Sequence, residues 1–403
     1  MEKILFCNID ILVKGFEGYD DSYVLECREK ILNILDAFAS SNQVVFMSRN
    51  SGKIDDAKKW ANNKGFDRFF FDTRNNVKAF INENYNCKNR FIVLGTKDVD
   101  FQLAVNNKLL LVVPMWIPVE QKIAEYGLQV DIPEQLEQLL WIVSNNRGWY
   151  SEVEVDDITK CISLYDARTR ISGVSNNERQ IICNFQYLLK EGRSRNYYQI
   201  LLYYFLANMT RDTIFDDIKI YGVMPSSSGL ISGDLFDFCE QVRFIKKVGY
   251  PRGMKYMKPE EKNILIRHTK KPQQHAGSQL GRAQIGGIHE FETLIINPEY
   301  EGKIEKLRAE GSLNICIFDD FMNFGNGFNA VRCLLESIGA NKIIFVSMGI
   351  FRKTFYRKDY CIIGDVFSPG YEYYIESEEI LTNFQINNEA KDDIDLLYDV
   401  YNG

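Results

Sequence analysis

Nine prolines, four tryptophans and three histidines are all that this chain of 403 residues contains of those types, and no segment is of low complexity. Disordered and collagen-like chains are thereby excluded, since both need a strong compositional bias. His268, His275 and His289 do not have the spacing of a metal site and read as solvated loop residues. None of the nine cysteines forms a C-x-x-C pair, and Cys316 sits inside the apolar run Ile315-Cys316-Ile317. That pattern excludes a zinc ribbon or a disulfide frame and predicts reduced, buried thiols in a cytoplasmic protein. No apolar run is long enough to span a membrane. The segment Met1–Asn8 turns polar after one short apolar strand, so neither a signal peptide nor an anchor is expected. Positive charge is also scarce: a formal net charge of −7 argues against a nucleic-acid partner coated through a broad basic face.

Apolar surface is abundant. Hydrophobic residues make up 45% of the chain and aromatics 13%, enough for more than one buried core at this length. Short apolar runs alternate with amphipathic stretches, which predicts an α/β fold of two Rossmann-like parallel-sheet domains joined by a helical segment. The first domain is expected over 1–143, with strands at Lys3–Cys7, Gln43–Met47, Arg68–Phe71, Arg90–Leu94 and Leu109–Val113. A linker or helical segment is expected over 144–177, where the polar stretches Asn145–Gly148 and Ser172–Asn177 break the pattern. The second domain is expected over 178–403. It opens with a helix pair over Glu178–Met209 whose aromatics belong to the core, and continues with strands at Ile218–Met224, Asn263–Arg267, Phe291–Ile296, Leu313–Phe318, Lys342–Ser347 and Tyr360–Ile363.

The most informative segment is Leu313–Phe328. A buried apolar strand delivers Asp319 and Asp320 to its C-terminal end, and the loop Asn323-Phe324-Gly325-Asn326-Gly327-Phe328 turns into an amphipathic helix. Main-chain N–H groups at such a helix start, together with the helix dipole, favour a phosphate. The two carboxylates are placed to accept hydrogen bonds from vicinal ribose hydroxyls. A plain strand–turn–helix with capping or solvated acids is the alternative.

This segment resembles the phosphoribosyl pyrophosphate (PRPP) motif of type I phosphoribosyltransferases, and most closely the ComF-type branch. Asn184–Arg193, with Lys190 and Gly192, is similar to that branch's Lys-Tyr-x-Gly-Arg turn. Ile266–Gln274, followed by Leu280-Gly-Arg282, is similar to its Arg/Gln and Leu/Arg stretch. The resemblance covers roughly 178–350 and implies transfer of ribose 5-phosphate from PRPP, with magnesium, to a nitrogen nucleophile. It assigns Asp319 and Asp320 to the ribose, with Asp320 also reaching the metal, and Asn323–Phe328 to the 5-phosphate. Pro225, Ser226 and Ser227 stand where the pyrophosphate loop is expected, with Arg267, Lys271 and Arg282 to supply the cations a leaving pyrophosphate needs. This chain departs from the family in its loop, where Asn323, Phe324 and Gly327 replace threonines.

The first half resembles haloacid-dehalogenase-like (HAD-like) phosphatases in degenerate form. Asn8-Ile-Asp10 stands at the hydrophobic-Asp-x-Asp motif, Ser48 ends the second-motif strand, Lys78 matches the third-motif lysine, and Gly95-Thr96-Lys97-Asp98-Val99-Asp100 matches the fourth motif. The family's nucleophile is a carboxylate, and Asn8 cannot form an acyl phosphate. The resemblance therefore implies a pseudo-phosphatase or protein-docking module, with Asp10 as the remaining magnesium ligand. Three functions stay open on this reading: a PRPP-dependent transferase, a non-catalytic nucleotide- or PRPP-sensing module of a multiprotein stress or bacterial defence complex, and a HAD-type phosphatase.

Overall fold

The computed structural model describes residues 2–13, 21–169, 175–192, 197–272, 287–381 and 384–402. It is an α/β fold built on one six-stranded parallel sheet and a second, mixed six-stranded sheet.

The first sheet contains β1 (Ile4–Asn8), β2 (Gln43–Ser48), β3 (Phe70–Thr73), β4 (Phe91–Leu94), β5 (Leu110–Pro114) and β6 (Leu128–Val130). Its order is β3-β2-β1-β4-β5-β6 and every pair is parallel. All residues of β1, β4 and β5 are buried, as expected for central parallel strands covered by helices on both faces. The connecting helices start on side-chain caps. The side chain of Asn50 accepts from Lys53 N ahead of helix 51–63, and that of Thr73 accepts from Asn76 N ahead of helix 74–83; each satisfies an amide that the first turn leaves without a partner. The strand order reverses between β1 and β4, which opens a crevice at their C-terminal ends.

The second sheet holds β7 (Ser151–Glu154), β8 (Thr159–Asp166), β9 (Ile220–Val223), β12 (Asn314–Met322), β13 (Lys342–Ile350) and β16 (Gln385–Ile386), in the order β16-β7-β8-β13-β12-β9. The four strands from β8 to β9 are parallel, and β7 and β16 add an antiparallel edge. Outside it lie two antiparallel pairs: β10 (Leu265–Arg267) with β11 (Leu294–Ile296), and the long hairpin of β14 (Phe355–Ile363) and β15 (Glu372–Leu381).

Three of the sequence-based expectations are not met. The supposed helical connector over 144–177 supplies β7 and β8, because Ser151–Glu154 and Thr159–Asp166 pair around the turn Asp156–Ile158 and then continue the sheet against β13. Phe291 ends a short helix, Ile288–Phe291, and does not start a strand. β10 and β11 pair with each other and not with the second parallel strand set.

One apolar cluster runs from Leu5 in the first sheet through Leu139 and Phe205 to Phe318 in the second, so helices 133–145 and 198–209 are shared walls. Tyr203, Tyr204 and Phe205 are fully buried, in line with their expected core role. Lys3 crosses the same boundary: its ammonium donates to Thr210 O at 2.9 Å and to Asn89 O at 3.1 Å, and burial pushes its pKa down to about 8. All nine cysteines are free. Among the described residues no helix is long and apolar enough to cross a membrane.

Candidate functional site

At the C-terminal ends of β9 and β12 the second sheet opens into a cavity of about 870 Å³, the edge position at which α/β sheets bind ligands. It is lined by Asp319, Asp320, Asn323, Phe324, Gly325, Asn326, Gly327 and Phe328, by Pro225, Ser226 and Ser227, and by Arg267 and Lys271. Thirteen sequence-predicted positions, spread over a hundred residues, thus meet at one surface. Arg282 lies outside the described residues.

The acid pair sits within β12 and not at its end. Asp319 pairs with Ser347 of β13, and the ladder continues to Met322, so the carboxylates are held by a rigid strand and not by a loop. Asp319 Oδ1 accepts from Asp320 N at 2.8 Å, and Asp320 Oδ1 accepts from Phe321 N at 2.7 Å. Lys190, near the end of helix 176–191, donates to Asp320 Oδ2 and lies over the Phe321 ring, 5.1 Å from its centroid. Burial, reinforced by the neighbouring Asp320 carboxylate, pushes the Asp319 carboxyl well above the ordinary aspartate value, with Lys190 opposing. Two like charges this close cannot both ionise freely.

Past Met322 the chain turns at Gly325, whose φ of 80° is left-handed and where the methyl of an alanine would lie 2.4 Å from the Phe355 ring. Only glycine fits this point. Helix 326–337 follows, with Asn329 N bonded to Gly325 O at 2.8 Å. Among the described residues no acceptor takes the N–H of Gly325, Gly327 or Phe328, so three amides of cavity-lining residues stand open at the positive end of the helix dipole. The opposite wall is the turn after β9, closed by Ser226 N on Leu230 O at 2.9 Å and Gly229 N on Ser226 O at 3.0 Å.

The expected cations are deployed differently. Arg267 is buried, and its guanidinium donates to Ser226 O at 2.8 Å, to Pro225 O at 3.2 Å, to Thr293 Oγ1 and to Glu290 Oε2 at 2.7 Å. Lys271 donates to the other Glu290 oxygen. Burial works against ionisation of Glu290, but Lys271 and Arg267 outweigh it and hold its carboxyl below the usual glutamate range. Sequence reasoning missed Glu290: it lies just ahead of Phe291–Ile296, the stretch read as a strand, with no local motif to mark it.

At the crevice of the first sheet the acids are already occupied. Asp100, fully buried, accepts from Asn8 Nδ2 at 2.6 Å, from the amides of Thr96 and Lys97 at 3.0 Å each, and from Arg74. Asn8 Oδ1 in turn accepts from Asp10 N at 2.9 Å. The ammonium of Lys97 stands 2.6 Å from Asp10 Oδ2. Asn8, Asp10 and Asp100 therefore meet as the sequence suggests, and the other three predicted positions do not join them. Lys78 is exposed; Arg74, one turn earlier on the same helix, is the cation that reaches Asp100. Asp98 Oδ1 accepts from Ile123 N at 3.2 Å and ties down helix 121–126. Ser48 Oγ accepts from Asn50 N at 3.2 Å. Lys97 fills the place beside Asp10 that a divalent ion would need, so these residues as placed do not fit magnesium. Among the described residues no group of three or more His, Cys, Asp or Glu side chains is arranged to hold a metal.

Set against models of known protein families and against curated proteins, the chain matches none.

Proposed function

We propose that the cavity of the second sheet binds a ribose 5-phosphate group, on the plan of a type I phosphoribosyltransferase-like domain, and that the first half is a HAD-like pseudo-phosphatase serving as a docking module for a protein partner. The observation that carries the first part is the convergence of the Asp319–Asp320 pair with the open amides of Gly325, Gly327 and Phe328 on one cavity. A carboxylate pair accepts from the vicinal hydroxyls while main-chain donors and the helix dipole take the phosphate. In the transferase reading the ligand is PRPP, and Asp320 is the carboxylate that would also reach its magnesium ion. The chain's own contribution would then be to position the sugar and to support positive charge at its C1 carbon. The pairing of Arg267 and Lys271 with Glu290 favours the second use of such a pocket, a nucleotide-sensing module without turnover. For the first half, the support is Asn8 at the nucleophile position and the Lys97 ammonium on Asp10; a working phosphatase finds no support there.

Titration calorimetry with ribose 5-phosphate tests the pocket. Saturable binding to the wild-type protein, weakened at least tenfold in Asp320→Ala, is the expected result. No binding to the wild type, or equal binding by the variant, would refute it.

A further inference from the structure

The charges around the cavity point to what the sugar carries. Among the described lining residues three are basic, Lys190, Arg267 and Lys271, and four are acidic, Asp234, Glu290, Asp319 and Asp320. None of the three bases is idle. Lys190 is on Asp320, and both others are on Glu290, whose side chain is 6% exposed. Three more of the Arg267 donors go to the carbonyls of Pro225 and Ser226 and to Thr293, so although it lines the cavity it is engaged in bracing the turn that a pyrophosphate would occupy. Glu290 also borders the phosphate cradle: a methyl built on Gly327 would stand 3.7 Å from Glu290 Oε1.

A diphosphate on C1 adds several negative charges to the 5-phosphate, and these need cations able to turn toward them in a partly dry site. A single phosphate needs only the amides and dipole already in place. At about 870 Å³ the cavity is near the upper end of the roughly 300–1,000 Å³ range of small-molecule sites, which leaves space for a base beside the sugar.

We propose that Glu290 is the specificity-determining residue of the pocket: by holding Arg267 and Lys271 it selects a singly phosphorylated ribose, such as a nucleoside 5′-monophosphate, over PRPP. This rests on the phosphoribose reading above. Glu290 acts through its two partners and is a positioning residue, so its signature is a change in ligand ratio and not a uniform loss of binding.

The experiment measures ribose 5-phosphate and PRPP, each with magnesium, by calorimetry against the wild-type protein and Glu290→Gln. The wild type is expected to bind ribose 5-phosphate at least tenfold more tightly than PRPP. Glu290→Gln should bring PRPP up at least tenfold while ribose 5-phosphate changes less than threefold. PRPP binding as tightly as ribose 5-phosphate to the wild type would overturn the inference and leave the phosphoribose reading standing, whereas no binding of either ligand would overturn both. An unchanged ratio in a folded Glu290→Gln protein would remove Glu290 from the role. Where that variant fails to fold, the wild-type ratio alone decides.

Discussion

The C-terminal ends of the two sheets carry the same ingredients, acids and small residues after a buried strand, and use them in opposite ways. In the first sheet every carboxylate meets an internal partner: Asp100 takes Arg74, Asn8 and two amides, and Asp10 takes Lys97. In the second, Asp320 takes a single, half-exposed lysine, Lys190, while the acid pair and a set of open amides belong to residues that line a cavity. A buried charge must be compensated either by the protein or by what the protein binds. Self-compensation gives a closed, structural cluster, and leaving the compensation to a ligand gives a site.

That contrast can be broken most forcefully at Arg74. Removing one partner of a buried ion pair leaves the other charge stranded, so Arg74→Ala should cost about 3–5 kcal/mol in denaturant unfolding. Lys78→Ala, at the exposed position the sequence favours, should stay within about 0.5 kcal/mol of wild type. Comparable losses in both would mean that the first cluster is not closed as described.

Gly325→Ala sharpens the other side. Left-handed backbone alone costs a residue with a side chain roughly 1–2 kcal/mol, and contact with Phe355 adds to that. The variant should unfold at lower denaturant and bind ribose 5-phosphate at least tenfold more weakly, because the turn that aims the amides is displaced. Full binding would show that the amides are not the phosphate donors.

At Asp319 the expected effect on folding has the opposite sign. Its pKa is raised in the folded state by burial and by Asp320, so the folded protein holds this proton more tightly than the unfolded chain does. Stability from this group is intact below the unfolded value of about 3.9 and is lost as pH rises through the raised folded value. Asp319→Asn should therefore be more stable than wild type at neutral pH, with the difference vanishing in acid, even though ribose binding falls. A variant less stable than wild type at pH 7 would show that the acid is compensated internally, as in the first sheet.

What the sequence disclosed follows from how local each feature is. Leu313–Phe328 is legible because strand, acids, glycine turn and amphipathic helix are consecutive, and periodicity alone separates them. Asn8, Asp10 and Asp100 are legible for a related reason, each lying at or just beyond the end of an apolar run. Glu290 and Arg74 acquire meaning only through partners distant in sequence, Arg267 and Asp100, and no spacing rule encodes such a pair. The strands β7 and β8 are hidden because β7 is four residues long with alternating burial, a weak pattern at the edge of a sheet, and its pairing is set by β8 and β16. Arg267 is recognisable as a basic residue near a cavity, but whether it points inward or braces a turn depends on where Glu290 falls.

The hairpin of β14 and β15 extends from the same turn that forms the cradle. Phe355 leaves no clearance against Gly325, Tyr356 N donates to Phe324 O at 3.0 Å, and Asn329 donates to Tyr356 O. Arm and cradle are consequently one mechanical piece, like a lever and its fulcrum. Tyr374, Ile375 and Ile380 stand more than half exposed along the arm, so whatever covers that outer handle would sit on the hairpin whose first strand is bonded to the cradle.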